Sequence, residues 1–147
     1  MRARVDAQAV ETRFADGRAL RIAWDDLVYV ALIWRDSSDR FFWEDPGYWE
    51  LQAIDGRRCH VYRRVAQRIG LLDYLARLPR FSLAAAKRAL DERGYAPVWQ
   101  RDVVRCPSCA AASMEAVPQV ERQRWDCILR CPACGTDLML GRERVAR

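Results

Sequence analysis

From Val10 the chain alternates apolar and polar positions with a period of two, the spacing that sends successive side chains to opposite faces of a β-strand. Val10, Thr12 and Phe14 share one face, Ala15-Asp16-Gly17-Arg18 supplies a turn, and Leu20, Ile22 and Trp24 line one face of the returning strand. A third strand is predicted from Val28 to Trp34. Its even positions Val28, Val30, Leu32 and Trp34 are apolar, and so are Tyr29, Ala31 and Ile33 on the other side, which places it at the centre of a sheet. After a longer loop at residues 35–47, a hairpin is predicted around Asp55-Gly56, with Trp49, Leu51 and Ala53 leading in and Cys59 and Val61 leading out. The pattern amounts to about five antiparallel strands.

Helical spacing takes over near Arg64, where Val65, Ile69, Leu72 and Leu75 fall within one apolar stripe and Pro79 stops the helix. Ser82 is placed to cap a second helix through Arg93, and Gly94 to close it. Tyr95 to Arg101 reads as a short extended segment in which Pro97 favours a sheet edge. Strands followed by helices predict an α+β unit over residues 1–102, a small antiparallel β-barrel or curled sheet flanked by its C-terminal helices.

Residues 103–147 carry a different signal. Cys106-Pro-Ser-Cys109 and Cys131-Pro-Ala-Cys134 are separated by 21 residues, and Gly135 follows the second pair. A CxxC turn presents two thiolates to one side of a metal ion, and two such turns complete a tetrahedron. The pattern predicts a zinc ribbon with one structural zinc ion held by Cys106, Cys109, Cys131 and Cys134. Residues 112–117 and 123–130 form its hairpin and residues 136–140 a third strand. All four positions are filled by sulfur, which leaves none for a reacting water. Cys127 shares a strand face with Trp125 and Leu129 and is expected in the ribbon's core, and Cys59 in the core of the first unit.

Composition narrows the function classes. Apolar residues make up 51% and charged residues 31%, enough to build a core. The longest apolar run, Leu27 to Trp34, is eight residues, against about 20 for a membrane-spanning helix. The N-terminus has basic residues with no apolar stretch behind them, unlike a secretory signal. Paired CxxC cysteines point to a reducing compartment, the cytoplasm, with no membrane association. The net charge is +5, and 24 of the 25 basic residues are arginine, a skew that codon composition in a GC-rich genome produces. Because those charges are spread along the chain, a solvated surface is the first reading. Nucleic-acid binding through Arg105, Arg122, Arg124, Arg130, Arg142 and Arg144, with Trp125 stacking on a base, is the second.

Catalytic candidates are few. His60 is the sole histidine, and in a strand it points away from its neighbour Cys59, so the two make a poor dyad. Asp25 and Asp26 lie between two strands, where aspartates cap turns. There is neither a glycine-rich phosphate loop nor a GxSxG motif. The expectation is a non-enzymatic protein. Residues 36–49 interleave Phe41, Phe42, Trp43, Tyr48 and Trp49 with Asp36, Asp39, Glu44 and Asp45. Aromatic side chains dominate interface hot spots and acidic neighbours steer a basic partner. Phe41, Phe42, Trp43, Glu44 and Asp45 are therefore the candidate partner-binding residues, and Trp49 is assigned to the core.

The stretches IAWDDLVYVAL, FWEDPGYWEL, LLDYLARLPRF and APVWQR resemble a family of short bacterial proteins with a pleckstrin-homology-like domain. The resemblance spans about residues 8–101 and rests on Trp24, Asp26 and Leu27 (W-x-D-L), Trp49 and Leu51 (F-W-x-L), Leu78, Pro79 and Phe81 (L-P-G-F), and Trp99 and Arg101 (W-x-R). Arg80 stands where that pattern has glycine, and Tyr48 where it has the first aromatic of F-W. The resemblance implies a fold and no catalytic residues. The C-terminal segment resembles generic four-cysteine zinc ribbons. The functional expectation is a protein-binding module, such as an immunity protein against a basic toxin or effector, or an adaptor.

Overall fold

The computed structural model describes residues 2–34, 47–118 and 125–143. Its order is β1 (Arg2–Val5), β2 (Ala9–Arg13), β3 (Ala19–Ala23), a 3-10 turn (Trp24–Asp26), β4 (Leu27–Trp34), β5 (Gly47–Ala53), β6 (Arg58–Tyr62), α1 (Arg63–Ile69), α2 (Leu71–Leu75), α3 (Leu83–Asp91), β7 (Tyr95–Gln100), β8 (Glu115–Ala116), β9 (Trp125–Arg130) and β10 (Asp137–Glu143). The strands make three antiparallel sheets, ordered β1-β2-β3, β6-β5-β4-β7 and β10-β9-β8. The class is α+β. The sheets are open and do not close into a barrel: among the described residues β6 and β7 end the four-stranded sheet and do not pair with each other. Helices and the first sheet fill its inner face instead, so burial is reached without closure.

That inner face holds the larger core. Val30 and Leu32 of β4, Trp49, Leu51 and Ala53 of β5, and Cys59 and Val61 of β6 pack against Val10 and Ile22 of the first sheet and against Ala66, Leu71, Leu75, Ala86 and Ala89 of the helices. The predicted first helix is two short ones, because Gly70 takes a left-handed φ of 69° that ends α1 and turns the chain into α2. Ser82 caps α3 by accepting the Ala85 amide at 3.1 Å. Residues of the W-x-D-L, L-P-x-F and W-x-R motifs converge. Arg101 donates to the carbonyls of Leu27 (2.8 Å) and Trp24 (2.9 Å), and the Trp99 indole donates to that of Pro79 (2.7 Å). Arg80, in the place of that motif's glycine, holds φ at 59°.

From Leu27 to Ile33 no residue of β4 is more than 2% exposed. The apolar outer face that placed this strand centrally is covered by the C-terminal sheet. An irregularity between Leu27 and Tyr29 moves Val28 off the expected face of Val30, Leu32 and Trp34, so that Val28, Tyr29 and Ala31 share a second core with Val104, Cys106, Met114, Cys127, Leu129, Cys131, Leu138 and Leu140.

Candidate metal centre

The two CxxC segments fold as matching turns. In the first, the Ala110 amide donates to the Cys106 carbonyl (3.0 Å) and the Cys106 amide to the Ala111 carbonyl (3.1 Å). In the second, Gly135 donates to Cys131 and Cys131 to Thr136, each at 2.9 Å. Ala110 (φ 59°) and Gly135 (φ 76°) occupy the same left-handed position just after the last cysteine of each turn. The shared geometry brings the turns face to face.

The Cys106 and Cys134 sulfurs lie 3.6 Å apart and those of Cys109 and Cys131 3.5 Å, and all four Sγ atoms fall within 4.8 Å of one another. A tetrahedral ion with bonds of about 2.3 Å needs sulfur–sulfur edges of about 3.8 Å. The four cysteines can therefore hold a metal ion. An all-sulfur tetrahedron suits a soft ion, and the short edges leave room for one ion at the centre. Cys106 and Cys131 are buried and sit in the second core, whereas Cys109 and Cys134 are exposed.

The thiols ionise unequally. Hydrogen bonds from the Thr136 hydroxyl and amide lower Cys134 to about 6. At Cys109 the Ala111 amide pulls downward, but the sulfurs of Cys131 and Cys134 outweigh it and push the thiol up to about 12. Removing successive protons from four adjacent sulfurs becomes harder as negative charge accumulates; a bound cation relieves that repulsion.

Cys127 stands outside this group. Its sulfur accepts from Gln100 Nε2 at 3.4 Å, between β9 and β7. Cys59 is buried beside Thr12, and burial, opposed by the bond to Thr12, raises its thiol to about 11. Asp25 and Asp26 are exposed on the 3-10 turn. Trp49 is 3% exposed in the first core. The candidate partner-binding residues Phe41, Phe42, Trp43, Glu44 and Asp45 lie outside the described residues, as do Arg122, Arg124 and Arg144. The sheet fixes only where their segment begins and ends: Trp34 pairs with Gly47 across β4 and β5.

Two polar groupings were not anticipated. Glu50, with 5% of its side chain exposed, bonds Arg58 (2.8 Å) and His60 Nε2 (2.9 Å). Burial raises its carboxyl, but the His60 bond and the Arg58 and Arg142 charges win and hold it below its ordinary value. The signal was present: a turn at Asp55-Gly56 sets the register that pairs Glu50 with His60. The second grouping ties the C-terminal sheet to β4 and β7. The Tyr29 and Tyr95 hydroxyls lie 2.7 Å apart, and each directs its one proton at Asp126, Tyr29 at 3.2 Å. The Arg142 amide donates to the same carboxylate at 3.1 Å, and its guanidinium reaches the Tyr48 hydroxyl at 2.7 Å. Burial is the main force raising both tyrosines. Among the described residues no buried side-chain nitrogen or oxygen lacks a partner.

Comparison with known proteins finds no match to a family model, to a curated protein or to a solved structure.

Proposed function

We propose that this chain is a non-enzymatic protein-binding module braced by one structural zinc ion held by Cys106, Cys109, Cys131 and Cys134. The observation that carries the reading is the cluster of four cysteine sulfurs within 4.8 Å of one another: around one ion they would complete a tetrahedron and leave no position for a substrate or water. Zinc is the ion that such cages hold in ribbons.

The binding surface is assigned to Phe41, Phe42, Trp43, Glu44 and Asp45, on the connection between the register-paired ends Trp34 and Gly47. Its aromatic and acidic chemistry suits a basic protein, such as a toxin or effector that this chain would neutralise as an immunity protein. Two arginines required by the nucleic-acid reading are engaged within the chain: Arg130 pairs with Asp137 at 2.8 Å, and Arg142 bonds Tyr48 and stacks over Tyr95. This favours a protein partner. Paired CxxC ligands suit a reducing cytoplasm, and no helix among the described residues is long and apolar enough to cross a membrane.

The test is co-purification with the products of neighbouring genes, using the wild-type chain and the Phe42→Ala/Trp43→Ala variant. The reading expects a basic protein recovered with wild type and lost with the variant while zinc content is unchanged. Recovery of no partner, or equal recovery with both, refutes the assigned surface. Salt-sensitive retention of DNA or RNA instead would establish the alternative.

A further inference from the structure

The C-terminal sheet lies on the outer face of β4, β5 and β7, and Tyr29, Tyr48, Gln52 and Tyr95 of that face find partners on it. Gln52 is 1% exposed. Its Nε2 donates to the Met139 carbonyl at 2.7 Å and its Oε1 accepts the Gly141 amide at 3.2 Å. Tyr29 and Tyr95 reach Asp126, and Tyr48 receives Arg142. Beneath them Val28 and Ala31 share the second core with Cys106 and Cys131, two of the cage residues.

The first core is built differently. Its buried cluster joins β4–β6 to the first sheet and the helices, and contains no residue from beyond Trp99. Within it Cys59 bonds Thr12, both from the first hundred residues. A segment of about 45 residues has too little core to fold unaided, and metal binding in such a module is its folding energy.

We infer that the C-terminal unit is a metal-dependent cover. It lies on the Tyr29–Gln52–Tyr95 face while the sulfur cage is closed, and leaves that face when the ion is removed, with the first core remaining folded. Metal occupancy then decides whether the sheet presents a second interaction face, one with an apolar floor and a rim of tyrosine and amide groups. The ribbon itself is its built-in occupant. This rests on the cage holding zinc, and a chain purified under reducing conditions without metal fails that reading before this one is reached.

Cysteine labelling separates the two cores. Cys127, 7% exposed, reports on the covered face and Cys59, 1% exposed, on the first core. The zinc-loaded full chain is treated with a zinc chelator, pulsed with N-ethylmaleimide and analysed by intact mass and peptide mapping. The expected result is five adducts of the six cysteines, with Cys59 spared, and protection of Cys127 in a parallel sample to which zinc is returned after the chelator and before the pulse. Four adducts on the ligands alone would show that the cover stays in place without metal. Six would show that the first core does not survive alone. Either result overturns the inference, as does failure of zinc to restore protection.

Discussion

Gly141 is the position at which a single methyl group acts most directly on the joint between the two sheets. It sits at the bulge of β10 with φ +80°, and a Cβ added there would lie 2.2 Å from Asp126 Oδ2, 2.8 Å from its Cβ and 2.9 Å from its Cγ. Gly141→Ala therefore carries two costs. Left-handed backbone costs a residue with a side chain about 1–2 kcal/mol. Relieving the overlap requires the whole Asp126 side chain to move, and its Cβ can do so only if β9 shifts as well. That breaks the bonds from Tyr29, Tyr95 and the Arg142 amide, and a hydrogen bond to a charged group is worth about 1.5–3 kcal/mol. Losing two of the three brings the total to about 4–8 kcal/mol. At about 2–4 °C per kcal/mol for a chain of this size, Tm falls by roughly 10–30 °C. The proper controls are Gly17→Ala (φ +85°) and Gly56→Ala (φ +86°), where an added Cβ meets nothing within 4 Å. These bear the backbone strain alone, about 1–2 kcal/mol. Thermal and urea unfolding of the three zinc-loaded variants measures the difference. If Gly141→Ala falls within about 1 kcal/mol of Gly56→Ala, Asp126 is not the clasp described above.

Three further outcomes follow from the same geometry. Arg80→Gly and Ala110→Gly relieve left-handed strain of about 1–2 kcal/mol against a glycine entropy cost of about 0.5–1. Each variant should thus be as stable as wild type or up to about 1 kcal/mol more stable in urea unfolding, although Arg80→Gly also removes the exposed ion pair with Asp102; a clear loss contradicts the strain argument. Glu50 is held below its ordinary value of 4.5, so it contributes stability above that pH and the contribution is lost as pH falls through the folded value. Glu50→Gln should be less stable than wild type at pH 7, with the gap narrowing below pH 4.5; a gap that widens in acid reverses the sign. Cys131→Ser should release the metal and unfold the C-terminal sheet, whereas Cys127→Ser keeps the metal; equal metal loss in both would mean that Cys127 is a ligand.

What the sequence made legible was what local spacing encodes. The CxxC pairs name the cage because each turn is specified within a few residues. The double-sided apolar pattern of β4 marks it as central, although nothing local says which element covers each face. The clasp joining Tyr29 to Asp126 spans 97 positions, and no periodicity links residues that far apart. β1 escaped notice because Arg2–Val5 is short and alternates arginine with small apolar residues. The helix break at Gly70 was hidden by an apolar stripe that continues across it, although Gly70 takes a left-handed φ of 69° and caps the first helix. The third ribbon strand runs past Leu140 to Glu143 because Gly141 bulges the strand and allows pairing to resume.

The central claim is that one ion is held by sulfur alone and serves the fold. X-ray absorption at the zinc edge, combined with metal analysis of the full chain purified without chelator, tests it most directly. The account predicts one zinc per chain with four sulfur neighbours at about 2.3 Å and no nitrogen or oxygen in the shell. Far less than one equivalent of metal, or a shell containing a light-atom ligand open to exchange, contradicts it.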